Sequence, residues 1–222
     1  MSKHSNFVVS LCACGLGIGL VLSFTLGAKA QQTAPPSARK STQTSDPRFK
    51  EVQNLLQEGR AEEAKQKVQD ELAKDPKSVE GYNLLGIIEV SQKNFDAALD
   101  AFQHALKLNP SSSRTKINLG NLYIAQQKLD LAEKQFREVL RTEPANADAN
   151  YNLGLILLSR NQASESVRYF ERVSPPTIES QINLLRACLL ANRTAQALSI
   201  SSNLSARNAN DVDSTPPSDH RQ

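Results

Sequence analysis

The chain has 222 residues, with 26 basic against 23 acidic side chains, and only 5% of it is aromatic, with no Trp. Residues 1–30 carry Lys3 and Lys29 and no acid, so the rest is close to neutral and gives no electrostatic case for nucleic acid. An apolar share of 39% is thin for one large globular core but serves a stack of small Ala- and Leu-rich helices.

Residues 1–30 read as an export signal. Lys3 and His4 form a basic head, Phe7 to Leu26 is apolar or small, and Ala28-Lys29-Ala30 fits a signal-peptidase site. The alternative is an uncleaved anchor through residues 7–28, since the run is long enough to span a bilayer. Either way the remainder is expected outside the cytoplasm, in the periplasm or secreted. Residues 31–46 have no hydrophobic period and read as a flexible linker.

From Pro47 the pattern turns helical. Phe49, Val52, Leu55 and Leu56 recur at helical spacing, Gly59 interrupts them, and Ala64, Val68 and Leu72 resume before Pro76. The same plan then repeats. Gly86, Gly120 and Gly154 stand 34 residues apart, as do Phe102, Phe136 and Phe170. Pro76, Pro110 and Pro144 keep that step, and so do Ala64, Ala98 and Ala132. The period divides the chain into helical pairs at 47–78, 79–112, 113–146, 147–177 and 178–206. Pro175 and Pro176 come early for the register, so the last connection is shortened, and no glycine stands near Leu185 and Arg186. Residues 207–222 are polar, carry Pro216 and Pro217, and read as a disordered tail.

A mid-helix glycine costs roughly 1 kcal/mol against alanine. Three at one register imply close packing of the two helices in each pair, with Ala98 as the small surface opposite Gly86 and Phe102 free to wedge toward the next pair. No pair buries both faces alone, so the pairs must stack.

The order Tyr82, Leu85-Gly86, Ala98, Phe102, Ala105, Pro110, repeated as Leu119-Gly120, Tyr123, Ala132, Phe136, Pro144, resembles the tetratricopeptide repeat family over about 160 residues. The resemblance implies an all-α right-handed solenoid of about five antiparallel pairs, degenerate at both ends. It also implies a concave wall built by the first helix of each pair. Glu80, Asn83 and Ile87 fall there, with Arg114, Ile117, Asn118, Asn121 and Ile124, then Asp148, Tyr151, Asn152, Leu155 and Leu158. Asn83, Arg114, Asn118, Asn121, Tyr151 and Asn152 are the expected partner-binding residues, amides for a peptide backbone among aliphatics for its side chains. Gly86, Gly120, Gly154, Phe102, Phe136, Phe170, Pro110 and Pro144 are read as construction. A carboxylate clamp of the kind some relatives carry would use Asn121, Asn152 and Arg186, but Ile117 and Ile182 replace its lysines.

Nothing in the sequence nominates a catalytic residue, a metal or a cofactor. His4 and His220 lie at the ends, His104 is isolated on a second helix, and Cys188 lies among leucines, a setting for buried packing. The expected function is a protein-interaction scaffold, exported or anchored, that holds a peptide or a protein of unknown identity. A structural assembly factor of an envelope complex, an accessory module of a secretion or enzyme complex, and a homo-oligomer are the other readings.

Overall fold

The computed structural model describes the backbone of residues 46–213 and the side chains of residues 46–207. The expected export segment 1–30, the linker up to residue 45, and residues 214–222 of the expected tail lie outside the described residues. After a short 3-10 turn at Pro47–Phe49 come ten helices in five antiparallel pairs. The pairs are α1 (Lys50–Gln57) with α2 (Ala61–Lys74), α3 (Val79–Ser91) with α4 (Phe95–Leu108), and α5 (Ser113–Ala125) with α6 (Leu129–Thr142). They are followed by α7 (Ala147–Ser159) with α8 (Ala163–Phe170), and α9 (Ile178–Leu190) with α10 (Thr194–Asp213). Each helix packs on its neighbours in sequence, which makes a right-handed solenoid. Among the described residues no helix is long and apolar enough to cross a membrane.

Local chemistry starts and stops these helices at fixed registers. Ser78, Ser112, Asn146 and Thr177 cap α3, α5, α7 and α9, each accepting from the backbone N–H three residues on. The turn inside every pair closes through one left-handed residue, Gly59, Lys93, Gln127, Asn161 or Asn192. The next residue donates its N–H back to a carbonyl five earlier, as Asn94 does to Glu89 at 2.8 Å and Lys128 to Tyr123 at 2.8 Å.

The packing inside a pair corrects one expectation. The partner of the glycine register is the phenylalanine, not the alanine. A Cβ on Gly120 would stand 2.7 Å from the Phe136 ring, one on Gly154 would stand 2.7 Å from Phe170, and one on Gly86 would strike Phe102. The rings are buried against bare backbone, and Phe102 also joins Leu119 and Leu122 of the next first helix in one apolar cluster. The terminal pairs divide that volume differently. Val52 and Val68 hold the two registers in the first pair, both buried, and Leu185 and Ser201 hold them in the last.

Two further departures sit at the C-terminal end. Helix α8 stops at Phe170 after eight residues where α4 and α6 run for 14. Pro175 and Pro176 exclude further helix, because a residue before proline is pushed out of the helical region. Helix α10 reaches Asp213, so residues 207–213 are helical and not the start of an irregular tail. Ala206 and Ala209 favour helix, and no proline or glycine stands between Thr194 and Asp213.

Candidate functional site

Successive first helices approach closely at α3/α5 and at α7/α9, and no two second helices do so to the same degree. The stack therefore closes on the first-helix side, and that side is the concave wall. Residues at i, i+3, i+7 and i+11 share one face of a helix. The face reads Glu80, Asn83, Ile87, Ser91 on α3 and Arg114, Ile117, Asn121, Ala125 on α5. It continues as Asp148, Tyr151, Leu155, Ser159 on α7 and Glu179, Ile182, Arg186, Leu190 on α9.

The structure does not offer all the expected binding residues to a partner. Asn83, Asn118 and Asn152 are 1–3% exposed, and Tyr151 is 9% exposed. Their polar atoms work within the stack. Asn118 Nδ2 donates to Asn83 Oδ1 at 3.4 Å across α3/α5, and Arg114 pairs with Glu80 at 2.9 Å across the same junction. Tyr151 donates to Glu179 at 2.6 Å and accepts from Asn183 at 3.0 Å across α7/α9. Burial and the bond to Glu179 push the Tyr151 hydroxyl above its ordinary range, so it stays a protonated donor. Asn152 Nδ2 donates to the Asp148 carbonyl of its own helix at 2.9 Å. Five of the six residues thus join or lock first helices, and four of these are buried. Arg114 and Asn121 are half-buried, and they keep surface on the wall.

What the wall presents is more aliphatic than the list of amides suggested. Ile87, Asn121 and Leu155 are half-buried at one register of the wall, Ile124 is half-buried against the core, and the small Ser91, Ala125 and Ser159 are exposed along the edge one turn further on. That edge was legible in the sequence, since all three are small residues at one 34-residue register. The outer face of the second helices differs in kind. There Glu133 pairs with Arg137 at 2.6 Å and with Arg160, and Arg137 also reaches Glu165 at 3.3 Å. Burial raises the Glu133 pKa, but its bonds to Arg137 and Arg160 more than offset this and hold the carboxyl below its usual range.

The remaining candidates for chemistry are accounted for by packing. His104 is exposed and stacks on Tyr82 with ring centroids 5.1 Å apart. Cys188 is buried with Ala187 and Ala197, and burial pushes its thiol up. Among the described residues no cluster of His, Cys, Asp or Glu could hold a metal ion. Cys12, Cys14, His4 and His220 lie outside the described residues.

Five antiparallel pairs on a shared Gly/Phe register, closed on the first-helix side, define a tetratricopeptide-repeat protein. The family model for the cytochrome c-type biogenesis protein H TPR domain matches residues 48–180, and the chain belongs to that family. No curated protein matches it. Among solved structures it is similar to Pseudomonas aeruginosa PilF at 20% identity, over 77% of this chain and 76% of that one, with a TM-score of 0.65. It is also similar to MamA from Desulfovibrio magneticus RS-1 at 18% identity, over 80% and 98% of the two chains, with a TM-score of 0.60. At these identities the likeness is one of fold.

Proposed function

We propose that this chain is an extracytoplasmic binding scaffold that holds a polypeptide segment on its first-helix wall during maturation of c-type cytochromes. The observation that carries the reading is the row of exposed small residues Ser91, Ala125 and Ser159 along the wall, with half-buried Ile87, Asn121 and Leu155 one turn before them on the same face. Packed helices lie about 8–10 Å apart. An extended segment in the polyproline II conformation has three residues per turn and advances ~3.1 Å per residue, so every third side chain meets one first helix. A bound helix meets the same spacing about every seventh residue, at ~1.5 Å rise each. Aliphatics take those side chains, and Asn121 and Arg114 bond the polar groups between them. The family supplies the biological setting, and the basic, apolar and small-residue sequence of residues 1–30 supplies the address. Within this reading residues 7–28 are either removed or retained as an anchor. The role is binding and not catalysis, and no cofactor is required.

A photoreactive residue in place of Ala125 on the wall, compared with one in place of Lys134 on the outer face of α6, tests this in cells. Both positions are exposed. The expected result is covalent capture of a c-type cytochrome precursor from position 125 and not from 134. Equal capture from both, or capture from 134 alone, overturns the assignment of the wall.

A further inference from the structure

One register of the first helices is buried wherever another pair follows. It holds Asn83, Ile117 and Tyr151, with Phe49 in the turn just ahead of α1, all 9% exposed or less. The next first helix covers it each time. A Cβ on Gly81 would meet the Phe49 ring at 3.2 Å, Asn83 accepts from Asn118, and Tyr151 bonds Glu179 and Asn183. In α9 the same register holds Ile182, and it is 52% exposed. Ile178, Leu189 and Leu190 beside it are all more than half exposed. Leu190 stands where earlier first helices carry Ser91, Ala125 and Ser159, so the apolar surface here is added and not inherited.

The two ends of the stack are unlike. The exposed side chains of α1 are Lys50, Glu51, Asn54 and Gln57, and no large apolar side chain is exposed between residues 46 and 107. A head-to-tail contact between copies would set the apolar α9 face against these charges. Residues 214–222 contain no apolar side chain other than proline and do not supply a cover. A face that matches α9 is α9 itself, which is also the kind of helix that covers this register at every internal junction.

We propose that a second copy of this chain covers the α9 face, through a two-fold contact in which the two α9 helices run antiparallel. The charges on the face choose this direction. Glu179 and Arg186 are both exposed and lie on one stripe with Ile182 between them. A parallel pair would set Glu179 against Glu179 and Arg186 against Arg186. An antiparallel pair centred between Ile182 and Asn183 sets Glu179 of each copy beside Arg186 of the other, twice by symmetry. The same register places Ile182 at the axis and brings Ile178 within a turn of the partner copy's Leu189. The contact closes on itself, so it gives dimers and not filaments.

Sedimentation velocity of the full chain over a range of concentrations tests the contact, with the thermal midpoint of each variant recorded as a check on folding. The expected result is a reversible dimer that Ile182→Glu and Arg186→Glu each weaken by more than about tenfold, since each sets an unpaired or like charge into the contact. Glu179→Lys alone gives up the Tyr151 bond and sets a lysine beside Arg186, and adding Arg186→Glu restores opposite charges, so the double variant is expected to recover most of the association that either single variant loses. A monomer at every concentration, or a dimer untouched by Ile182→Glu, overturns the proposal. A dimer lost with Arg186→Glu and not recovered by the charge exchange overturns the antiparallel register.

Discussion

The three middle pairs and the last pair meet one packing demand with opposite arrangements. In the middle, the first helix gives up its side chain at Gly86, Gly120 and Gly154, and the second helix fills the space with Phe102, Phe136 and Phe170. In the last pair the large residue is Leu185 on the first helix, and Ser201 stands on the second. The difference follows from what comes next. Phe102 wedges against Leu119 and Leu122 of the following pair, whereas Ser201 is exposed and no further pair follows among the described residues. A ring that both fills its own pair and reaches the next has a use only inside the array. At the end, moving the volume to the first helix keeps the pair filled and leaves a polar residue toward water.

The largest break in this comparison is expected from Phe136→Ala. The ring is fully buried, so its loss removes contacts on both sides and costs about 3–5 kcal/mol in denaturant unfolding. Ser201→Ala, at the equivalent place in the last pair, is expected to stay within about 0.5 kcal/mol. Next in size is Gly120→Ala, at about 1–3 kcal/mol, because the new Cβ meets the Phe136 ring at 2.7 Å and nothing flexible stands there to yield. Thermal midpoints measured for the two variants and for their combination should show non-additive losses, since one ring is shared. If the losses simply add, the two side chains do not share the contact described.

Charge separates the same regions. The middle of the stack carries the Glu133, Arg137, Arg160 and Glu165 network, while the last pair is joined to the fourth by the longer Arg193–Glu171 pair at 3.9 Å. Glu133 has a folded-state pKa below its ordinary value of 4.5. Its contribution is therefore present above that value and lost as pH falls through the lower folded-state value. Stability measured from neutral pH down into that window should drop more in the wild type than in Glu133→Gln. A small effect of opposite sign is expected at the turns. Gln127 is left-handed at φ 61°, where the first pair already uses Gly59. Gln127→Gly should gain up to about 1 kcal/mol, a rise in midpoint readable by calorimetry.

The fold class was legible in the sequence because four residue types kept one period, and small and aromatic residues at fixed spacing leave few architectures. The contact partner of the glycine was not. Ala98 and Phe102 both face inward from α4, and only three-dimensional placement shows which one lies on Gly86. The wall was half legible. Amides suggested surface, yet Asn83, Asn118 and Asn152 are buried where neighbouring first helices meet, and the burial of a residue there depends on the next repeat and not on its own helix. The same dependence explains Ile182. It stands at the register of buried residues and is exposed because no further first helix is described after α9. The charge at position 114 was read as a ligand for a partner, but Glu80 lies 34 residues back and takes up part of it at 2.9 Å. Sequence shows such a pair only once the register of one pair against the next is known.

The central claim is that the glycine and phenylalanine registers build the solenoid and leave the first-helix wall free to bind. Ala125→Arg separates the two, because Ala125 is exposed on the wall and belongs to neither register. Binding of a haem-free c-type cytochrome polypeptide to the wild type and to this variant, each beside its thermal midpoint, is the direct measurement. A loss of affinity of more than about tenfold is expected, from a buried unpaired charge in the contact, with the midpoint unchanged. Unchanged affinity in a folded Ala125→Arg protein would contradict it.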